Sequence, residues 1–178
     1  VGDLEGVSEA LKGAREALTK AEEYVSEKFP DWQEGWLQVM RYRIAMEEEV
    51  VGPLYSLSQA ERQWERVLRR MGGLAGMWVE RAEWERRAGG EPETCRRILS
   101  RGLRSAKDYP EAVFTALLDL ERQRGSLQDW DKASKLVCDR RAELAAAAAA
   151  AAKWAAAGGE AGDDNGTAVP MDEDDNDE

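Results

Sequence analysis

Two glutamates are placed where acid–base chemistry would use them. Glu85 and Glu121 lie 36 residues apart, and each falls seven residues after a large aromatic, Trp78 and Phe114. A pair of carboxylates can serve as general acid and general base. Catalysis would also need a nucleophile, a metal set or a phosphate-binding loop, and the sequence offers none beside the pair. The chain has no His, which removes Ser–His and Cys–His catalysis and imidazole metal sites. Its two Cys, Cys95 and Cys138, are too few and too far apart for a zinc cluster. They read as reduced thiols of an intracellular protein, on apolar helix faces where each is a buried small residue. The expectation is a protein that is not an enzyme and takes no cofactor, metal or small-molecule substrate. Because each Glu recurs at the same place in its own unit, each is expected to pair with an Arg or a helix N-terminus on the next unit.

The arginines offer a different chemistry. Arg62, Arg66, Arg69 and Arg70 are spaced i, i+4, i+7, i+8, opposite a stripe containing Trp64. Arg97, Arg101 and Arg104 are spaced i, i+4, i+7, opposite Ile98 and Leu99. Two helices carrying them would present adjacent basic faces. Such a strip can hold an RNA backbone or an acidic peptide. The competing reading is a solvated face balanced by neighbouring Glu. The seven Trp tempt a binding-cage reading. Trp36, Trp64 and Trp78 recur at helical spacing, which is the pattern of a packed core. Trp154, in an Ala tract, is the candidate for an exposed anchor.

Helices must position these groups. Apolar residues recur at 3.6-residue spacing in seven segments, among them Ala14-Leu18-Ala21-Val25, Ala60-Trp64-Val67-Leu68-Met71 and Val113-Phe114-Leu117-Leu118. No stretch alternates with the period of a strand. Breaks fall at Pro30, at Gly52-Pro53 running to an N-cap at Ser58, and at Gly72-Gly73 and Gly76. Further breaks are Gly89-Gly90-Glu91-Pro92, Tyr109-Pro110 and Gly125-Ser126.

The helices alternate in kind. Trp78-x2-Arg81-x3-Glu85-x3-Gly89 and Phe114-x2-Leu117-x3-Glu121-x3-Gly125 share the offsets 0, 7 and 11. The other kind opens on a small residue followed by basic ones: Ala14-Arg15, Ala60-Glu61-Arg62, Cys95-Arg96-Arg97 and Ala133-Ser134-Lys135, at spacings of 46, 35 and 38 residues. The pair opened by Trp36 fits least well, with Arg43 where Glu is expected. One pair cannot bury its own apolar face, so neighbours stack into a continuous core. The expected fold is all-α: an α-solenoid of antiparallel helix pairs, with one leading half-repeat and three pairs over residues 1–144. Trp36, Trp64, Trp78, Phe114, Glu85, Glu121, Gly89 and Gly125 are expected to hold the repeats together. An Ala-rich helix extension covers 145–156, and a disordered acidic tail covers 157–178.

The charge divides along the same line. The formal net charge is −11, from 36 acids and 25 bases. Nine of those acids and none of the bases lie in residues 155–178, leaving 27 acids against 25 bases in the body, a net of −2. The acidic total therefore does not argue against RNA-related work by the body, and the tail itself could occupy a basic strip. No apolar run approaches the ~20 residues of a membrane span, and no signal peptide is visible. The chain opens on Val1 rather than Met, so a piece of a longer protein is expected.

The aromatic–Glu–Gly helix followed by a small-residue-plus-Arg helix resembles the HAT (half-a-TPR) repeat of RNA-processing proteins. A closer likeness spans residues 77–131. It runs through Met77-Trp78-Val79-Glu80, Glu85-Arg86, Cys95-Arg96-Arg97, Asp108-Tyr109-Pro110-Glu111, Leu120-Glu121-Arg122, Gly125-Ser126-Leu127 and Asp129-Trp130-Asp131. This order is similar to the end of the HAT array in the U4/U6 snRNP recycling factors, and the likeness extends upstream to about Gly13. The resemblance implies a nuclear, non-enzymatic docking scaffold for protein partners of the splicing machinery. It also implies self-association through the repeats, and RNA held by recognition domains elsewhere rather than by this segment. After Leu144 the chain departs from the family, with poly-Ala and acid where Lys-rich import signals stand. The arginines Arg62, Arg66, Arg69, Arg70, Arg97, Arg101 and Arg104 are the expected partner surface. The alternatives are direct RNA binding by the array, and a HAT scaffold of another machine such as mRNA 3'-end cleavage and polyadenylation.

Overall fold

A computed structural model of the chain describes residues 4–48 and 57–157. The Gly52-Pro53 break and the acidic residues after 157 lie outside the described residues. Those described form α1 (Leu4–Lys28), α2 (Gln33–Met46), α3 (Ser58–Met71), α4 (Ala75–Arg87), α5 (Pro92–Ser105), α6 (Pro110–Arg124) and α7 (Leu127–Ala156), with no strand among them. None of these helices is long and apolar enough to cross a membrane. The chain divides into two compact units, Val1–Val137 and Cys138–Glu178.

Within the first unit each helix from α1 to α5 packs on its successor, and α4 also packs on α6. Packing of alternate helices on one another is the mark of stacked pairs, and the fold is an all-α helical-repeat solenoid. The core follows the apolar stripes. Trp36, Met40, Trp64, Val67, Trp78, Trp84, Leu99, Phe114, Leu117 and Val137 are all buried. Gly102, in the last turn of α5, allows close approach to α4: a Cβ there would lie 2.6 Å from Cγ of Trp78.

Local chemistry sets the helix ends. Proline opens α5 and α6, where a missing N–H costs nothing. Gly89 at φ +81° ends α4 in a Schellman motif: the Gly90 N–H donates to the Glu85 carbonyl at 2.9 Å, and the Gly89 N–H to the Arg86 carbonyl at 3.4 Å. The Asp108 carboxylate accepts the Ala75 N–H at 2.8 Å, so the α5–α6 link caps α4. That bond holds the Asp108 carboxyl below its ordinary range. Ser126 and Asp129 cap α7 reciprocally: the Ser126 hydroxyl donates to Asp129 Oδ2 at 2.8 Å and accepts the Asp129 N–H at 3.2 Å. Bonds from Ser126 lower the Asp129 carboxyl.

One burial expectation is corrected. Cys95 is buried, its thiol pushed up by desolvation, but Cys138 is exposed. Val137 is the last buried position among the described residues of α7. Period alone marks an apolar face and does not say whether a neighbour covers it. In the second unit α7 continues through Ala145–Ala152 with every Ala exposed, and Trp154 is 58% exposed.

Candidate partner groove

The repeat glutamates are structural in their surroundings. Phe114 and Glu121 are buried in α6, and both Glu121 oxygens accept from Arg96 of α5, from Nε at 2.5 Å and Nη2 at 2.8 Å. This bidentate pair raises the Arg96 pKa, with Glu93 adding to it. Trp78 and Glu85 are buried in α4, and Glu85 accepts from Arg81 of its own helix at 2.6 Å. The expected partner on the next unit is therefore corrected in both cases. Glu121 reaches back to the preceding helix. Glu85 cannot do likewise, because α3 carries Glu61 after its opening Ala60 where α5 carries Arg96 after Cys95. An i, i+4 Arg takes over instead.

The glycines differ as well. Gly125 lies against Glu121, where a Cβ would meet Oε2 at 2.3 Å; the glycine in that relation to Glu85 is Gly90, where a Cβ would meet Oε1 at 2.2 Å. Gly89 supplies the positive φ instead.

The first pair reverses the polarity. Trp36 is buried, and its indole N–H donates to Glu22 of α1 at 3.2 Å. Arg43, which stands at the Glu position, donates to Glu22 at 2.9 Å and to the Thr19 hydroxyl at 2.6 Å. Sequence reading missed Glu47, which is buried and takes a bidentate pair from Arg15 at 2.8 and 2.7 Å. Nothing local signals a partner 32 residues away. Trp64 is buried beside Trp84, ring centroids 6.5 Å apart, and the Trp84 N–H donates to Glu48 at 2.7 Å.

Most of the predicted arginines converge. A groove of about 560 Å³ between α3 and α5 is lined by Arg62, Arg66, Arg69, Arg97 and Arg101, together with Glu61, Glu65 and Arg81. Arg104 joins Arg69 and Arg101 along an adjoining depression that reaches Trp78. Arg70 is set apart, stacked 4.5 Å over the ring of Trp36.

The groove arginines are in two states. Arg66 is paired with Glu22 of α1. Arg101 donates to both oxygens of Glu65, at 2.9 and 3.1 Å, which raises its own pKa and holds Glu65 below the ordinary carboxylate range. Arg62, Arg69, Arg97 and Arg104 are exposed and make no ion pair with another described residue. Arg81, missed as a groove residue, is buried at 5% exposure and stacks on Trp84 at 4.7 Å. Its Nε has no acceptor among the described residues. The signal was available, since Arg81 interrupts the apolar stripe of α4 four residues before Glu85.

Guanidinium groups from two helices of a helical-repeat solenoid thus line one open groove. No family profile matches the chain. Curated relatives do. The chain is 32% identical over 142 residues to spliceosome associated factor 3, the U4/U6 recycling protein, of Homo sapiens, and 31% identical to that of Mus musculus; each match covers 77% of this chain and 14% of the relative. The Danio rerio protein of the same name is 37% identical over 95 residues, 49% of this chain and 10% of the relative. The chain belongs to this family of U4/U6 recycling factors. It spans about a seventh of the length of the relatives it matches.

Proposed function

We propose that the chain is a non-enzymatic docking scaffold that works in the nucleus, in pre-mRNA splicing and specifically in assembly and recycling of the U4/U6 snRNP. Its partners are proteins of that machinery, and residues 1–144 form the array that receives them. The likeness to relatives named as U4/U6 recycling proteins carries the reading. The α3–α5 groove supports it, because it gathers arginines from two successive repeats in one place. Charged groups arranged this way steer association and select partners.

Charge reversal tests the proposal. A chain with Arg69→Glu, Arg97→Glu and Arg101→Glu should keep its helical circular dichroism and lose capture of U4/U6 snRNP from nuclear extract. Undiminished capture would remove the groove from the proposal.

A further inference from the structure

We propose that the α3–α5 groove receives a phosphorylated serine or threonine within an extended segment of a partner protein. The inference rests on the docking reading above and names the chemistry that the dock selects.

Charge counting leads to it. Six guanidinium groups line the groove: Arg62, Arg66, Arg69, Arg81, Arg97 and Arg101. Four carboxylates oppose them. Glu61 and Glu65 line the groove, and Glu22 and Glu85 hold Arg66 and Arg81 from other positions. Glu22 is shared with Arg43, so it offsets Arg66 only in part, and six less four makes two the lower bound of the positive excess. A phosphomonoester carries about −1.5 to −2 at neutral pH, with three acceptor oxygens, whereas one Asp or Glu side chain carries a single charge. One phosphate therefore meets most of that excess in a single group, which one carboxylate does not.

The arrangement of the donors agrees. Arg62, Arg69 and Arg97 are exposed and free of described ion pairs, and they come from both walls. Arg66 and Arg101 are already oriented by Glu22 and Glu65, so less side-chain freedom is lost on binding. Arg81 is a fixed charge at the base, held by Glu85 and the Trp84 ring. The base holds more donors than acceptors, since Nε of Arg81 is unmet.

A run of RNA backbone fits less well. Single-stranded RNA is held by a charged track with aromatic faces on which bases stack. The aromatics near this groove, Trp64, Trp78 and Trp84, are 2–3% exposed and committed to the core. Glu61 and Glu65 also interrupt the track, which would oppose a polyanion carrying a charge at every nucleotide.

The test uses the whole chain and fluorescence anisotropy. The probe is a labelled short Gly-Ser peptide bearing one phosphoserine, compared with its unphosphorylated form and with a single-stranded oligouridine RNA. The phosphopeptide should bind at least about tenfold tighter than its unphosphorylated form. Arg69→Ala and Arg97→Ala should each reduce that binding severalfold, while Lys135→Ala on α7 should leave it unchanged. Equal binding of the two peptides overturns the proposal. So does oligouridine that binds tighter than the phosphopeptide and loses affinity through the same Arg variants, which would make the groove an RNA track. Phosphatase treatment of the nuclear extract separates this inference from the docking reading. Capture of U4/U6 snRNP that depends on Arg69 and Arg97 but survives phosphatase keeps the dock and overturns the phosphate. Capture indifferent to the arginines, beside intact phosphopeptide binding, removes the dock's splicing role and keeps the phosphate site.

Discussion

Helices α4 and α6 carry the same signature and solve the same electrostatic problem in opposite ways. Each buries a Glu two turns on from a large aromatic, on the same helix face. In α6 the charge is answered from another helix, since Arg96 of α5 grips both oxygens of Glu121. In α4 it is answered within the helix, by Arg81. The first solution ties neighbouring helices together and leaves the Arg partly exposed. The second leaves the pair internal to one helix and places a guanidinium at the base of the α3–α5 groove. A single change in the preceding helix, Glu61 after Ala60 in place of Arg96 after Cys95, separates the two. Thus a repeat position that is purely cohesive in α6 lines an open groove in α4.

The largest expected effect concerns what the two helices share. Phe114 is fully buried, and Phe114→Ala should cost about 3–5 kcal/mol in urea unfolding, with Trp78→Ala in the same range. A loss below about 1 kcal/mol for either would mean that the aromatic position does not anchor its repeat.

The glutamates should then divide. Glu85→Ala leaves Arg81 buried with no carboxylate, an uncompensated interior charge that costs about 3 kcal/mol or more. Glu121→Ala should cost less, about 1–2 kcal/mol. The Arg96 side chain is 25% exposed and keeps Glu93 as a partner, with Asp129 at 3.9 Å. Equal losses, measured by the same denaturant midpoint and slope, would erase the distinction between the two solutions.

The glycines sharpen the comparison further. Gly89→Ala places a side chain at φ +81° and should cost about 1 kcal/mol. Gly125 lies at φ −87°, which any residue adopts, so the cost of Gly125→Ala comes from contact rather than conformation. Its Cβ would meet Glu121 Oε2 at 2.3 Å and the Glu121 carbonyl at 2.8 Å. A Glu121→Ala background should therefore relieve part of the Gly125→Ala loss and none of the Gly89→Ala loss, read as a double-mutant cycle.

These differences explain what was legible in the sequence. The helical period and the Pro and Gly breaks determine the seven described helices, because both are local properties. Burial of Trp36, Trp64, Trp78 and Phe114 followed from the same period. The pairing of Glu85 and Glu121 was not legible, since a recurring signature suggests a recurring partner, and the partner is set by a residue on a different helix. Glu47 was invisible for the same reason, its Arg15 lying on α1. Cys138 was misplaced because the stripe on α7 outlasts the buried positions. Of the expected arginine surface, the convergence of α3 and α5 was inferable from their adjacent repeats. The separation of Arg70 onto Trp36 and the contribution of Arg81 needed the packing itself.

The smallest effect lies on the groove wall and depends on pH. The Arg101–Glu65 pair joins α5 to α3 across half-exposed side chains, so solvent screens it, and Glu65→Gln should cost only about 0.5 kcal/mol at neutral pH. Arg101 holds the Glu65 carboxyl below its ordinary range. A carboxylate with a depressed folded-state pKa contributes stability that is complete above its unfolded value and disappears as pH falls through the folded value. The gap between the unaltered chain and Glu65→Gln should thus be constant above about pH 5 and close in stronger acid. It should also shrink in high salt, as an exposed pair must. A gap that persisted in acid and in salt would show that Glu65 acts through packing rather than charge.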